Sequence, residues 1–144
     1  MSFPDSYVPG STERMLLYRE LDGLETDEAV EAYRQRLQDR FGTIPEEGEE
    51  LIRVVKLRRL GKYFGIERMI LKNGRLRMYY VSDPESPFFQ SPAFGQCITY
   101  YTLHVADCQL DEVKGRRSML IRGITSVKAA CDLLQEMQAM TPQN

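Results

Sequence analysis

Residues 66–81 read IERMILKNGRLRMYYV, two runs of apolar and basic residues separated by Asn73-Gly74. Asn-Gly is the strongest short signal for a β-hairpin, because both residues tolerate the positive φ angles of a type I′ turn. A two-residue turn pairs Lys72 with Arg75 and then Leu71 with Leu76, which sorts the side chains by face. The apolar face receives Met69, Leu71, Leu76, Met78 and Tyr80, and the other face receives Arg68, Lys72, Arg75, Arg77 and Tyr79.

The chain after this hairpin is predicted to continue as helix, hairpin and helix. Ser91-Pro92 follows a loop and is typical of a helix start, and apolar residues then recur at helical spacing. Residues 97–105 also suit a strand, because CITYYTLHV is rich in β-branched and aromatic residues, so both interpretations remain open there. The predicted later elements are a hairpin over 106–113 and 116–122 and a helix over about 125–140.

The first half is predicted to contain three helices. Its first ten residues read as an extended lead-in, after which Ser11 or Thr12 can cap the first helix. The second helix starts at Thr26, and the third runs from Pro45 to Gly65. We therefore predict an α+β fold, with an N-terminal segment of about three helices followed by hairpin-helix-hairpin-helix and a small antiparallel sheet. Residues 1–144 are predicted to form a single domain.

Residues 39–47, between the second and third helices, read DRFGTIPEE. Gly42 falls where a left-handed helix end is expected, and Pro45 suits the first position of the next helix. The stretch predicts a tight corner between two antiparallel helices. Rigid, charged corners suit a specific protein contact. The candidate partner-binding residues at this corner are Arg36, Asp39, Arg40, Glu46 and Glu47.

Composition places the chain among soluble globular proteins, since 42% of its 144 residues are apolar and 28% are charged. Apolar runs of four residues or fewer exclude a membrane span, and the first residues lack the layout of a secretory signal. Its three cysteines are far apart and form no CxxC motif, which indicates buried thiols in a reducing compartment. We expect a cytoplasmic protein without membrane contact and, as an isolated domain, a monomer.

No catalytic motif is apparent in the sequence. The single histidine, His104, lies in an apolar stretch without an acid or cysteine at a useful spacing. Gly61-Lys62 lacks the preceding glycine and the following Ser or Thr of a phosphate-binding loop. The glutamates from Glu46 to Glu50 have no metal-ligand spacing. We expect a protein that is not an enzyme and takes no cofactor.

The charges are unevenly distributed, since residues 20–50 hold eleven acids and three bases whereas residues 53–77 hold nine bases and one acid. A basic surface of this kind can bind nucleic acid. The alternative is structural, because bases stabilise the end of a helix and protect a hairpin from aggregation. The candidate nucleic-acid contacts are Arg53, Lys56, Arg59, Lys62, Arg68, Lys72, Arg75 and Arg77.

Three stretches resemble the C-terminal domain of bacterial transcription-repair coupling factor. They read PDSYVPGSTERMLLYREL, LQDRFGTIPEEGEELIRVVKLRRLGKYFGIERM and SMLIRGITSVKAACDLLQEM. The family's Pro-Asp/Glu-x-Tyr-Ile/Val-Pro motif matches Pro4–Pro9, and its Leu-Tyr-Lys/Arg motif matches Leu17–Arg19. Its Asp-Arg-Phe-Gly motif matches Asp39–Gly42 before Pro45-Glu46, and its Leu-Gly-Ile ending resembles Phe64-Gly65-Ile66. The match is dense over residues 3–70 and weaker beyond.

The resemblance implies that the chain is a non-catalytic regulatory domain of a larger DNA translocase. In the family this domain packs against the protein's own excinuclease-B-like N-terminal module, and it thereby masks the surface that recruits excinuclease A. RNA polymerase and DNA are contacted by other domains of the parent protein, whose ATPase motor motifs are absent from this sequence. A nucleic-acid-binding module that uses residues 53–77 is the alternative function.

The resemblance also assigns candidate contacts. Acidic residues on the helix that enters the corner meet basic residues of the other module, and Asp39 matches one of these positions. Arg36 departs from the pattern because an acid is usual there, and Thr43 replaces a usual proline. Gly48 lies inside the predicted third helix, where glycine costs about 1 kcal/mol relative to alanine.

Overall fold

The computed structural model describes residues 2–143, which form five α-helices, one short 3₁₀ helix and four strands. None of the helices in this range combines the length and the apolar character that crossing a bilayer requires. The chain divides into two compact units, unit 1 (Met1–Lys56) and unit 2 (Leu57–Asn144). In chain order the helices and strands are α1 (Ser11–Asp22), α2 (Asp27–Phe41), α3 (Glu46–Tyr63), β1 (Ile66–Lys72), β2 (Arg75–Tyr80), α4 (Pro92–Leu103), β3 (Cys108–Val113), β4 (Arg116–Arg122) and α5 (Val127–Gln138). The predicted α+β class and order of elements are confirmed.

Unit 1 consists of α1, α2 and most of α3 around a core of its own. Helix α2 begins as predicted, because the Thr26 hydroxyl accepts a hydrogen bond from the amide of Ala29 at 3.0 Å. Its inner face buries Val30, Tyr33 and Leu37, with Phe41 partly buried at its end. The buried residues of this core are Phe3, Val8, Leu21, Val30, Tyr33, Leu37, Ile44, Ile52 and Val55.

Two local predictions for the start of unit 1 are wrong. Helix α1 has no side-chain cap, because Gly10 occupies the cap position with φ 97° and Ser11 is already helical. A capping side chain must belong to the residue just outside the helix. The lead-in is a turn, since the amides of Tyr7 and Val8 both bond to the carbonyl of Pro4 at 3.0 Å.

Gly48 lies inside α3 at a point where neighbouring side chains leave no room for a Cβ atom. A Cβ atom at Gly48 would lie 2.8 Å from the Cγ2 atom of Ile44 and 3.1 Å from the ring of Phe3. Both of those side chains are buried. The glycine therefore lets the lead-in pack directly against the start of α3.

Gly48→Ala is accordingly expected to destabilise unit 1 by about 1 kcal/mol. Overpacking costs roughly 1–3 kcal/mol, which exceeds the gain of about 1 kcal/mol in helix propensity. Amide hydrogen exchange across residues 3–55 would measure the change. An Ile44→Ala background is the control, because it removes the Cγ2 atom nearest to the added Cβ atom and should relieve most of the additional cost. Slower exchange in the single variant would show that propensity dominates.

Unit 2 contains a four-stranded antiparallel sheet in the order β1-β2-β4-β3. The first hairpin has the predicted register, with Lys72 opposite Arg75 and Leu71 opposite Leu76. Asn73 and Gly74 have φ angles of 54° and 71°, as the predicted turn requires. The second hairpin is also confirmed and turns at Lys114-Gly115.

Residues 97–103 are helical, so the strand interpretation of this stretch is wrong. Helix α4 starts with the Ser91 hydroxyl accepting from the amide of Phe94 at 3.3 Å. Its inner side places Cys97 and Tyr100 in the core, together with the last turns of α3, one face of the sheet, and α5. Burial against several neighbours has outweighed the strand propensity of this segment.

Candidate functional site

The candidate site is built on α1 and α2, which are joined by two ion pairs. Arg40 of α2 lies 2.6 Å from the carboxylate of Glu13, and Arg36 pairs with Glu20. Because residue numbers rise along one helix as they fall along the other, the two helices run in opposite directions at this contact. We call the exposed surface formed here the α1–α2 face, and its residues are Glu13, Leu16, Glu20, Arg36, Asp39 and Arg40.

Asp39 differs from its charged neighbours on this face. It is exposed, and within residues 2–143 its side chain makes no hydrogen bond or ion pair. Arg36 and Arg40, one turn before it and next to it, are each already paired with a glutamate of α1. The negative charge of Asp39 is thus the charge on this part of α2 that remains available to a partner.

The two acids predicted on the far side of the corner have different surroundings. Glu46 is exposed and lies 2.7 Å from Arg53, so its charge is partly compensated. Glu47 is exposed as well, and no ion pair of its side chain occurs in the described part of the chain. The structure therefore places all five predicted corner residues at the surface of unit 1, two of them without ionic partners.

The corner is held in one conformation by backbone geometry and by Tyr7. Gly42 has φ 87° and ψ −168°, so its φ is positive as predicted but its ψ is extended rather than left-handed helical. This combination of φ and ψ angles is essentially restricted to glycine. The Tyr7 hydroxyl donates to the carbonyl of Gly42 at 2.8 Å and lies 3.3 Å from that of Leu37. The bond to Gly42 gives a partner to a carbonyl just beyond the end of α2 and ties the lead-in to the corner.

An ion pair also joins the middle of α2 to the first turn of α3. Arg34 donates to both carboxylate oxygens of Glu49, at 2.6 and 3.2 Å. The hydrogen bond to Glu49 raises the pKa of the Arg34 guanidinium above its usual value. Bidentate pairs of this kind fix orientation as well as distance. The α1–α2 face is therefore presented by a rigid support.

Sequence reasoning missed the apolar part of this surface. Met15 and Leu16, adjacent on α1, are 55% and 56% exposed. Leu16 follows Glu13 by three residues and precedes Glu20 by four, so it lies between the two ion pairs. The signal available in the sequence was the helical spacing of α1, which places Leu16 away from the buried Leu21.

The predicted basic surface is divided between different parts of the structure. Arg53 lies in unit 1 and bonds to Glu46 and Glu50, at 2.7 and 3.1 Å. Lys56 also belongs to unit 1. Arg59 and Lys62 lie on the last turns of α3 in unit 2. The remaining four predicted contacts are on the hairpin: Arg68, Lys72, Arg75 and Arg77.

The described residues contain no cluster of three or more His, Cys, Asp or Glu side chains that could hold a metal ion. The three cysteines are buried, as predicted. Burial raises the pKa of Cys97 to about 12 and that of Cys108 to about 11, so neither forms a thiolate near neutral pH. His104 stacks on Tyr100 with ring centroids 4.0 Å apart, and its Nδ1 lies 2.9 Å from the Tyr100 carbonyl.

Comparison with known proteins matches this chain to one family. The TRCF domain family model matches residues 1–91. The transcription-repair-coupling factor of Rickettsia bellii is 36% identical over 66 residues, which cover 46% of this chain. That of Borreliella burgdorferi is 30% identical over 84 residues, which cover 58% of it. The matched region spans only 6% and 8% of these two relatives.

A solved structure extends the likeness to both halves of the chain. The crystal structure of a C-terminal domain of transcription-repair coupling factor has a TM-score of 0.71 with 16% sequence identity. The alignment covers 94% of this chain and 87% of that domain. At this identity the likeness shows a shared fold, namely helices followed by a small antiparallel sheet.

Fold and site together define an α+β accessory module with a rigid, charged helical face. The chain belongs to the TRCF domain family, and its fold is that of the C-terminal domain of transcription-repair coupling factor.

Proposed function

We propose that this chain is the regulatory domain of a transcription-repair coupling factor that acts in transcription-coupled DNA repair in the cytoplasm. Its α1–α2 face would dock onto the excinuclease-B-like N-terminal module of the same protein. In the docked state it covers the surface that recruits excinuclease A for nucleotide excision repair. RNA polymerase and DNA would be contacted by other domains of the parent protein, and the isolated domain would be monomeric.

The observation that carries this proposal is the exposed, unpaired carboxylate of Asp39 on a rigid helix end. Tyr7 and Gly42 fix the end of α2, and Arg34 fixes its middle. A preorganised charge loses little conformational freedom on binding, so more of its attraction to a basic partner appears as affinity. Asp39 can therefore serve as the central charged contact of a docked state.

Arg36 is compatible with the same docked state although its charge has the opposite sign. Its guanidinium pairs with Glu20 and also lies 5.8 Å from the ring centroid of Tyr33. The positive charge is thereby compensated within unit 1. A basic partner that approaches Asp39 meets a neutral pair at position 36 rather than an isolated cation.

Exposed Leu16 adds an apolar contact to the charged ones. It lies beside both ion pairs, and apolar side chains in the centre of a polar surface are typical of protein interfaces. The contact need not be strong, since tethering within one protein gives an effective concentration on the order of millimolar. Release then requires only a competing contact that favours the undocked state.

Asp39→Arg is expected to increase recruitment of excinuclease A by the coupling factor that carries this domain. Reversing one central charge should weaken docking about tenfold, because an attraction is replaced by repulsion. Pull-down of excinuclease A with wild-type and variant factor would measure the change. Glu85→Arg is the matched control, since this exposed glutamate lies in unit 2 outside the α1–α2 face. Equal recruitment by wild type and Asp39→Arg would exclude Asp39 from the contact.

The location of the contact can be tested separately by NMR. The ¹⁵N-labelled chain would be titrated with the excinuclease-B-like module at hundreds of micromolar, because a tethered contact can be weak between separate molecules. Shifts centred on residues 13–20 and 36–47 are expected. Shifts confined to residues 53–77 would move the contact to the basic segment, and their absence at every position would contradict the proposal.

A further inference from the structure

The sheet of unit 2 has two faces with different environments. Side chains alternate along each strand, so one face packs into the core through residues such as Leu76, Met78 and Met119. The last turns of α3 lie on that side, since Gly61 approaches the side chain of Met69. We call the other side the open sheet face, formed by Arg68, Ile70, Lys72, Arg75, Arg77, Tyr79, Gln109, Asp111, Arg116, Ser118, Leu120 and Arg122.

Three bases form a row across neighbouring strands of this face. Lys72 of β1 lies opposite Arg75 of β2, and Arg75 lies opposite Arg122 of β4. Adjacent strands are about 4.8 Å apart, and like charges placed directly opposite one another destabilise a sheet. The row is therefore unfavourable for the isolated fold and becomes favourable when an anion lies along it.

Acids form ion pairs with other bases of the open sheet face but not with the bases of this row. Arg77 lies 3.1 Å from Asp111, and Arg116 lies 3.5 Å from Glu67. Within residues 2–143, no salt bridge joins Lys72, Arg75 or Arg122 to a carboxylate. Arg122 instead donates to the side-chain amide oxygen of Gln109 at 2.8 Å. Asp111 acts on Arg122 electrostatically without forming an ion pair with it, so Lys72 and Arg75 carry most of the positive charge that remains available to a ligand.

A shallow groove lies beside the row. It has a volume of about 280 Å³, and Ile70 and Leu120 give it an apolar floor between basic side chains. Tyr79 lines the same groove, and the Arg116 guanidinium lies 5.6 Å from its ring centroid. Tyr79 lies four residues along β2 from Arg75. A groove that combines an aromatic ring with cations can hold a strand of several nucleotides, with a base on the ring and the phosphates on the cations.

We propose that the open sheet face binds single-stranded nucleic acid. Phosphates lie along Lys72, Arg75 and Arg122, and an unpaired base packs against Tyr79 and the apolar floor. Duplex is the weaker fit, because its stacked bases cannot reach the floor of the groove. The surface differs from the basic segment of residues 53–77, since it adds β4 and does not include the α3 bases. It uses no residue of the α1–α2 face, and it adds a nucleic-acid contact to those that the proposed function assigns to other domains of the parent protein.

Fluorescence anisotropy with an end-labelled thymidine oligonucleotide of about 15 nucleotides tests this assignment on the whole chain. Binding is expected at about 50 mM salt, and the affinity should fall steeply as salt rises to about 200 mM. A double variant, Arg75→Glu with Arg122→Glu, should lose at least about tenfold in affinity. It should fold, because Arg75→Glu places an opposite charge across from Lys72, and the two substitutions together only exchange one like-charge pair between β2 and β4 for another.

The matched control is Lys114→Glu with Lys128→Glu, which changes the net charge equally at exposed positions outside the face. This control should keep most of the affinity. If it lost as much affinity as the Arg75 and Arg122 variant, the binding would reflect net charge alone and the proposed site would be wrong. Tyr79→Leu should weaken single-strand binding severalfold. Tighter binding to a duplex of the same length, or no binding at about 50 mM salt, would overturn the proposal.

Discussion

Gly65→Ala is expected to destabilise unit 2 by about 3 kcal/mol, from strain and overpacking together. Gly65 has φ 64°, where a side chain costs roughly 1–2 kcal/mol. A Cβ atom there would also lie 2.9 Å from three ring atoms of Phe88. That ring cannot easily move away, because it packs against Tyr80 and Phe94 with centroids 6.0 and 5.8 Å apart.

Gly123→Ala separates the two contributions to this effect. Gly123 has φ 81°, and nothing lies within 4 Å of a Cβ atom placed there. This variant should lose only the backbone contribution of about 1 kcal/mol. Amide hydrogen exchange of the sheet amides would give both free energies, and a Phe88→Ala background should remove most of the additional loss at position 65. Equal losses at positions 65 and 123 would show that Phe88 adjusts without cost.

Gly42→Ala is expected to destabilise unit 1 by about 2 kcal/mol. The combination φ 87° and ψ −168° is costly for any residue with a side chain, although the space around Gly42 is empty. The variant must either bear that strain or turn the corner differently, which would disturb the Tyr7 hydrogen bond. Hydrogen exchange of residues 37–48 would report the loss.

Gly23→Ala is the control for Gly42→Ala, because Gly23 also follows a helix but has φ −85° and ψ −6°. Alanine adopts that conformation readily and reduces the freedom of the unfolded chain, so stability should change little or rise by about 0.4–1 kcal/mol. If both substitutions proved equally mild, the corner would not depend on the backbone of Gly42. The proposed rigidity of the α1–α2 face would then need another source.

The sheet shows which features a sequence can predict. The register of the first hairpin follows from Asn73-Gly74 together with strict alternation, both of which are local. The neighbour relation of β2 and β4 does not follow, because it is decided by packing between segments about 40 residues apart. Without that pairing, the row formed by Lys72, Arg75 and Arg122 cannot be recognised, since the sequence separates its members.

The helical half shows the same division between local and distant contacts. The corner residues Asp39, Glu46 and Glu47 could be predicted because a proline and a glycine mark the ends of both helices. The partners of Arg36 and Arg40 could not, because Glu20 and Glu13 lie 16 and 27 residues away. Only the structure shows which charges of the cluster are neutralised and that Asp39 is not.

The contact of Tyr7 with the corner has a consequence for the order in which unit 1 forms. The Tyr7 hydroxyl and the Gly42 carbonyl are 35 residues apart in the chain, and buried Phe3 precedes both. During synthesis the lead-in emerges early, yet its partners emerge only after α2 is complete. The Gly42 carbonyl takes its position only when α2 has ended and the corner has turned, so α1 and α2 should form before residues 3–8 dock. We therefore expect the lead-in to complete the folding of unit 1 rather than nucleate it.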